Sequence, residues 1–182
     1  MSQLNEEQLL SGLDRIRSAP KDEGVLELIV RRPAVDRREV VEQCELDLVQ
    51  GLVGDTWNSR WSKNTPDGSP NLEMQITVMN ARVAALVAQV KHRWQLAGDQ
   101  LYVDLDLSAE NLPAGTRLAL GSAVIEVTAP PHLGCRKFVA RFGVEAMKFV
   151  NSPLGKELRL RGIHARVVQS GQIRVGDVAR KI

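Results

Sequence analysis

The sequence predicts a mainly β (α+β) fold: a closed or nearly closed β-barrel with peripheral helices and an N-terminal helix. Three observations carry this reading. From Gly98 to the C-terminus, short runs of alternating apolar residues recur between Gly, Pro and Ser turns. Helical periodicity is confined to a few stretches. Aromatic residues make up only 4% of the 182, so the core must be assembled from Val, Leu, Ile and Ala. A chain this long buries most of its unfolded surface in one domain and needs no disulfide staples.

Taken in order, Leu9, Leu10, Leu13 and Ile16 sit at helical spacing within residues 6–17, which predicts an amphipathic helix ended by Pro20, Asp22 and Gly24. Residues 1–24 are therefore read as a helical extension and residues 25–182 as the barrel. Val25 to Val30 reads as a strand that Arg31-Arg32-Pro33 ends. Arg38 to Leu48 mixes helical and strand periodicity. Cys44, inside it, lacks cationic, Gly or Pro flanks and reads as structural. Residues 58–71 form a long polar loop in which Trp57, Arg60, Trp61 and Lys63 could close over an anionic ligand. Met74 to Met79 is a strand, Asn80 caps a helix from Ala81 to about His92, and dipole complementarity accounts for His92 at its end.

Beyond Gly98, Leu101 to Leu107 alternates, and Arg117 to Leu120 with Ala123 to Thr128 forms a hairpin across Gly121-Ser122. Val139 to Val150 predicts one or two short helices broken at Gly143 and ended by Pro153-Leu154-Gly155. Leu158 to Val168 and Ile173 to Val178 are the last strands.

A formal net charge of +2 and a pI near 8.7, without a Lys/Arg block, give no reason to expect nucleic acid or a membrane surface as partner. Two cysteines are too few for a disulfide framework. No signal-peptide pattern opens the sequence and no apolar run reaches membrane-spanning length, so a cytoplasmic protein with free thiols is expected.

The stretch that points to chemistry is Pro130-Pro131-His132-Leu133-Gly134-Cys135-Arg136-Lys137-Phe138. Paired prolines end the preceding strand and hand the chain to a loop whose cysteine lies beside cations. A thiol attacks sulfur or binds metal as its anion, which the positive charge of Arg136, Lys137 and a protonated His132 favours. Gly134 removes a side chain next to the sulfur and leaves a ligand room to approach. Two other readings of the same residues are a zinc site or thiol hydrolase using the His132-x-x-Cys135 spacing, completed from Cys44, His92 or His164, and a buried, inert cysteine.

The ordered elements of the second half resemble a MOSC domain, the module named for the C-terminal region of molybdenum-cofactor sulfurase. Gly98-Asp99-Gln100-Leu101 is similar to the family's Gly-Glu-Asn-Leu, and Leu112 to Leu118 to its Gly-centred turn. Gly121 to Thr128 is similar to the strand before its signature cysteine, here Cys135. Gly162 to Val168 and Gly171 to Asp177 are similar to its closing hairpin. Asp99-Gln100 stands where the family has Glu-Asn, and Asp67-Gly68-Ser69 stands where some stand-alone members carry His-Gly-Gly. The resemblance spans about Val25 to Ile182. It implies a barrel in which Cys135 is catalytic and ligates the molybdenum of a pterin cofactor, acting on N-oxygenated small molecules; the alternative is a sulfur carrier with a Cys135 persulfide and no turnover of its own. In the cofactor picture Lys137, Arg141, Arg60 and Arg136 would pair with phosphate, and Asp99, Gln100 or Asn111 would bond the pterin edge, with His132 beside them. No pyridoxal phosphate is expected. The partners implied are the cofactor, a small substrate and a redox or sulfur-donor protein; monomer and homodimer both stay open.

Overall fold

The computed structural model describes residues 3–62 and 65–182. In chain order the elements are α1 (Glu6–Ser11), α2 (Leu13–Arg17), β1 (Glu23–Arg31), β2 (Glu39–Val41), β3 (Gln43–Asp47), β4 (Gly51–Leu52), β5 (Ile76–Asn80), α3 (Ala81–Ala88), β6 (Leu101–Val103), β7 (Arg117–Leu120), β8 (Ala123–Val127), α4 (Arg136–Phe142), α5 (Val144–Asn151), α6 (Pro153–Glu157), β9 (Ile163–Gln169), β10 (Gly171–Arg174) and β11 (Val178–Lys181).

Seven strands close into a barrel in the order β11-β7-β8-β9-β5-β6-β1, with β1 pairing back onto β11. Closure satisfies backbone groups that an open sheet would leave bare. β2 extends the sheet beside β1, and β10, β3 and β4 form a small second sheet. β5 and β6 run parallel, so the chain must cross over between them, and α3 with a 3-10 segment (Lys91–Ala97) makes that crossover outside the barrel.

Two apolar clusters lie on opposite faces of β1, β5 and β6. Leu26, Ile29, Ile76, Val78, Leu101 and Val103 point into the barrel; Leu28, Val30, Met79 and Tyr102 point outward, under the helices. Alternation in β1 breaks between Leu26 and Leu28, where the register shifts, and this lets Leu26 and Ile29 share a face although three residues apart. Strands buried on both faces explain why β5 is buried throughout while β8 alternates.

The segment of mixed periodicity, 38–48, forms two strands, β2 and β3. The predicted N-terminal helix is two, meeting at Gly12, which lies against α3: a Cβ there would come 2.6 Å from Leu86. Leu9, Leu13 and Ile16 join the outer cluster. The predicted helix to His92 stops at Ala88, where Gln89 takes a left-handed conformation (φ 64°), and His92 falls in the 3-10 segment, so a helix dipole does not account for it. Pro153 starts α6 at its first position, with the Ser152 hydroxyl accepting from the Gly155 amide, instead of ending a helix. The final strand prediction divides at 175–177 into β10 and β11. Among the described residues no helix is long and apolar enough to cross a membrane.

Gln100 shows how tightly the barrel end is tied. Fully buried, it accepts from the Thr77 amide at 2.7 Å and the Thr77 hydroxyl at 3.0 Å, and donates to the Gln75 carbonyl at 3.3 Å. Gln100→Ala removes the side-chain acceptor of the buried Thr77 amide, so the urea-unfolding free energy should drop by about 1–3 kcal/mol.

Candidate functional site

The segments after β1 and β8 and the turns before β6 and β9 converge beside Thr77 and His164, on the outward faces of β5 and β9. A cleft of 420 Å³ opens there. Its cations are Arg32, Arg38, Arg60, Lys137, Arg141 and Arg161, and Cys135 shares its lining.

Carboxylates balance only part of this charge. Buried Asp55 takes the Arg32 guanidinium in a two-point contact, Nε to Oδ2 at 2.7 Å and Nη2 to Oδ1 at 3.0 Å. Asp99, without exposed surface, accepts from Arg161 Nη1 at 2.6 Å, and the same guanidinium lies 5.2 Å over the Phe138 ring. Asp36, in the loop after β1, faces Lys137 at 3.1 Å and Arg141 at 3.7 Å, and Lys137 holds its carboxyl below the usual range.

Arg38 and Arg60 have no carboxylate partner among the described residues. Arg38 Nη1 donates to the Arg37 carbonyl, and its Nε is buried without a partner, as is that of Arg161. Burial, then Arg141 and Arg32, push the Arg38 pKa down; burial and Arg32 do the same to Arg60. Gly98, at φ 92°, lies beneath these cations: a Cβ there would come 3.6 Å from Arg141 Nη1 and 3.9 Å from Arg38 Nη2. The cleft is thus a concave surface with excess positive charge and unused donors, which suits an oxyanion such as phosphate.

Cys135 is exposed, at the N-cap of α4. The tail of the loop differs from expectation in two ways. The missing side chain of Gly134 makes room for α5 and not for a ligand: its amide donates to Asn151 Oδ1 at 2.8 Å, and a Cβ would come 3.2–3.3 Å from Val150, Asn151 and Met147. His132 is nearly buried, and burial, with Arg161 and His164, depresses its pKa well below 6.5, so it lends no charge to the thiol. Its ring lies 4.5 Å from that of His164, whose pKa burial also lowers.

Of the other residues read from the sequence, Lys137, Arg141 and Arg60 line the cleft. Asp99 lies beneath it. Arg136 is exposed but outside the lining. Gln100 is taken up by strand contacts, and Asn111 lies at the opposite end of the barrel, donating to the Lys21 and Asp106 carbonyls and accepting from Lys181. Trp57, Arg60 and Trp61 form one side of a second cavity of 300 Å³ beside the first; Lys63 lies outside the described residues. Cys44 is buried with its thiol donating to the Val53 carbonyl at 3.2 Å, and burial raises its pKa. Among the described residues no three His, Cys, Asp or Glu side chains gather in metal-binding geometry.

Sequence reasoning missed Arg32, Arg38 and Arg161, and took His164 only as a possible zinc ligand. Arg32 stood only as a strand terminator and Arg161 inside a supposed strand. Their partners Asp55 and Asp99 lie 23 and 62 residues away, beyond the reach of any local pattern.

The MOSC domain family profile matches residues 55–180. The chain belongs to the MOSC domain family. Among solved structures, this MOSC domain is similar to the YuaD protein from Bacillus subtilis, at 17% identity and TM-score 0.57 over 86% of this chain and 94% of that one. It is also similar to YiiM from Escherichia coli, at 17% identity and TM-score 0.55 over 87% and 69% of the two chains. YiiM from Geobacillus stearothermophilus gives 14% identity and TM-score 0.53 over 89% and 73%. Identities this low bear on the fold alone. No curated protein matches the sequence.

Both buried histidines bind protons less readily folded than unfolded, where the value is near 6.5. Their contribution to stability is present above that pH and is lost as pH falls through the depressed folded values. Asp99, which burial raises, acts in the opposite sense at lower pH. Urea midpoints should therefore fall between about pH 7.5 and about pH 5, and fall less steeply in His132→Gln.

Proposed function

We propose that this MOSC domain binds a molybdenum cofactor, with Cys135 as metal ligand, and reduces N-oxygenated small molecules. The observation that carries the reading is an exposed thiol in the wall of a cleft whose arginines outnumber the carboxylates that pair with them. The residues fit such a group: a phosphate would balance Arg38 and Arg60 and supply acceptors that the buried Arg38 Nε lacks. A soft thiolate is a suitable donor to molybdenum.

In this reading Cys135 anchors the metal at the cleft wall, while Arg38, Arg60 and Arg141 orient the anionic tail. Lys137, on α4 with Arg141, closes the outer side with Asp36 as counter-charge. A molybdenum cofactor held by these residues would supply the two-electron chemistry for reducing an N–O bond. Arg32 and Arg161, fixed by Asp55 and Asp99, keep the floor of the cleft rigid, so the cations do not reorganise when a ligand enters.

The exposure of Cys135 also favours a second reading, since a persulfide at this position could be reached by a donor protein. Metal analysis and intact mass on freshly purified protein separate the two: about one molybdenum per chain supports the first, an extra labile sulfur on Cys135 the second.

Cys135→Ser should retain no molybdenum while unfolding at the same urea concentration as the parent. Equal metal content in the variant removes the thiolate from the site. Arg38→Met should loosen cofactor retention by roughly tenfold, on the order of one charge-assisted hydrogen bond, as read by cofactor loss on dilution.

A further inference from the structure

Reductive loss of oxygen from an N-hydroxylated amine consumes two electrons and two protons. It breaks the N–O bond, forms an N–H bond in its place and releases the oxygen as water. Two protons must therefore enter the cleft with the two electrons. The guanidiniums around it hold their protons too firmly to supply them. The groups suited to carrying protons lie behind the cations.

His132 borders two spaces. It lines the cleft that contains Cys135, and it also lines a smaller cavity of 130 Å³ whose wall includes His164, Lys156 and Arg159. Pro131, Leu133 and Lys156, all exposed, give this rear cavity a solvent side. The two imidazoles are neighbours, with ring centroids 4.5 Å apart and planes tilted by 37°.

The hydrogen-bond partners constrain which nitrogens carry protons. His164 Nδ1 lies 3.1 Å from the Pro130 carbonyl, which can only accept, so this nitrogen donates and Nε2 is left as an acceptor. His132 Nδ1 faces Asp99 Oδ1 at 3.4 Å, and among the described residues neither atom has another partner. The other Asp99 oxygen is fixed by Arg161, so Oδ1 cannot turn elsewhere. A single proton between Oδ1 and Nδ1 satisfies both atoms and leaves His132 Nε2 to take up and release a proton. Burial supports this arrangement by keeping both rings neutral at rest, ready to accept a proton.

We propose that His132 and His164 form a proton path from the rear cavity to the Cys135 cleft, with Asp99 as the residue that positions His132 and sets its tautomer. The proposal rests on the reductase reading, with electrons from an external one-electron reductant. The cluster has the parts of an acid–base relay: an orienting carboxyl, a ring between two cavities and a second ring in contact with it.

Two measurements test it, the first needing no cofactor. Imidazole ¹⁵N spectra of the full chain should show His132 protonated at Nδ1, and Asp99→Asn, whose amide can donate to Nδ1, should shift the proton to Nε2. Unchanged His132 signals in that variant overturn the positioning role. The second uses cofactor-loaded protein with reduced viologen and an N-hydroxylated amine. His132→Gln should lower kcat by about a hundredfold with KM and molybdenum content unchanged, and added imidazole should restore part of the rate. Full kcat in His132→Gln overturns the path. Should Asp99→Asn fail to fold, His132→Gln still decides the matter. Absence of molybdenum from the parent protein counts against the cofactor reading instead, and the tautomer measurement then judges the Asp99–His132 coupling alone.

Discussion

Asp99 has no surface of its own, yet the cation-rich cleft is built on it. One oxygen holds Arg161, the other faces His132, and the Gly98 carbonyl just before it accepts from Arg32 at 3.0 Å. Packing arginines around a cleft is unfavourable unless part of their charge is neutralised inside the protein. Asp55 and Asp99 do this from below: each is buried and each binds its arginine at 2.6–2.7 Å. Losing one member of such a pair leaves an uncompensated buried charge, typically about 3–5 kcal/mol. The floor is therefore stiff, and the cations above it remain available to a ligand.

The barrel explains why these groups converge. β1, β5 and β6 are buried on both faces, one against the barrel interior and one against the helices. Helices cover the outside of these strands, so the polar groups of this region collect at the strand ends. There the loop after β1 brings Asp36 and Arg38, the turn before β6 brings Asp99, and the turn before β9 brings Arg161. Gly98 keeps the backbone low beneath Arg38 and Arg141. α5 fixes the cysteine loop through Asn151, which donates to the Gly134 carbonyl as well as accepting from its amide.

The chemistry divides along the same line. Exposed groups at the cleft, Cys135 and Lys137, are suited to contacting a ligand or a partner. The buried layer of Asp99, His132 and His164 is suited to controlling protons, because its histidines are neutral and its hydrogen bonds leave nitrogens unused. In this MOSC domain the cation-rich cleft lies on one side of a wall whose other side borders a separate cavity.

By itself the sequence determined the barrel, the hairpin of β7 and β8, the helix break at Gly143 and the loop that carries Cys135. These depend on period-2 alternation, turn residues and proline punctuation, which act within a few residues. It also placed Lys137, Arg141 and Arg60 among the cations of interest. Only the tertiary structure decided that Gln100 and Asn111 brace the scaffold, that Gly134 accommodates α5, and that His132 is buried and neutral. It alone brought in Arg32, Arg38 and Arg161 and set His164 beside His132. The reason is physical: ion pairing and desolvation depend on distance in space, and Arg161 meets Asp99 across 62 residues of chain, a separation no local pattern encodes.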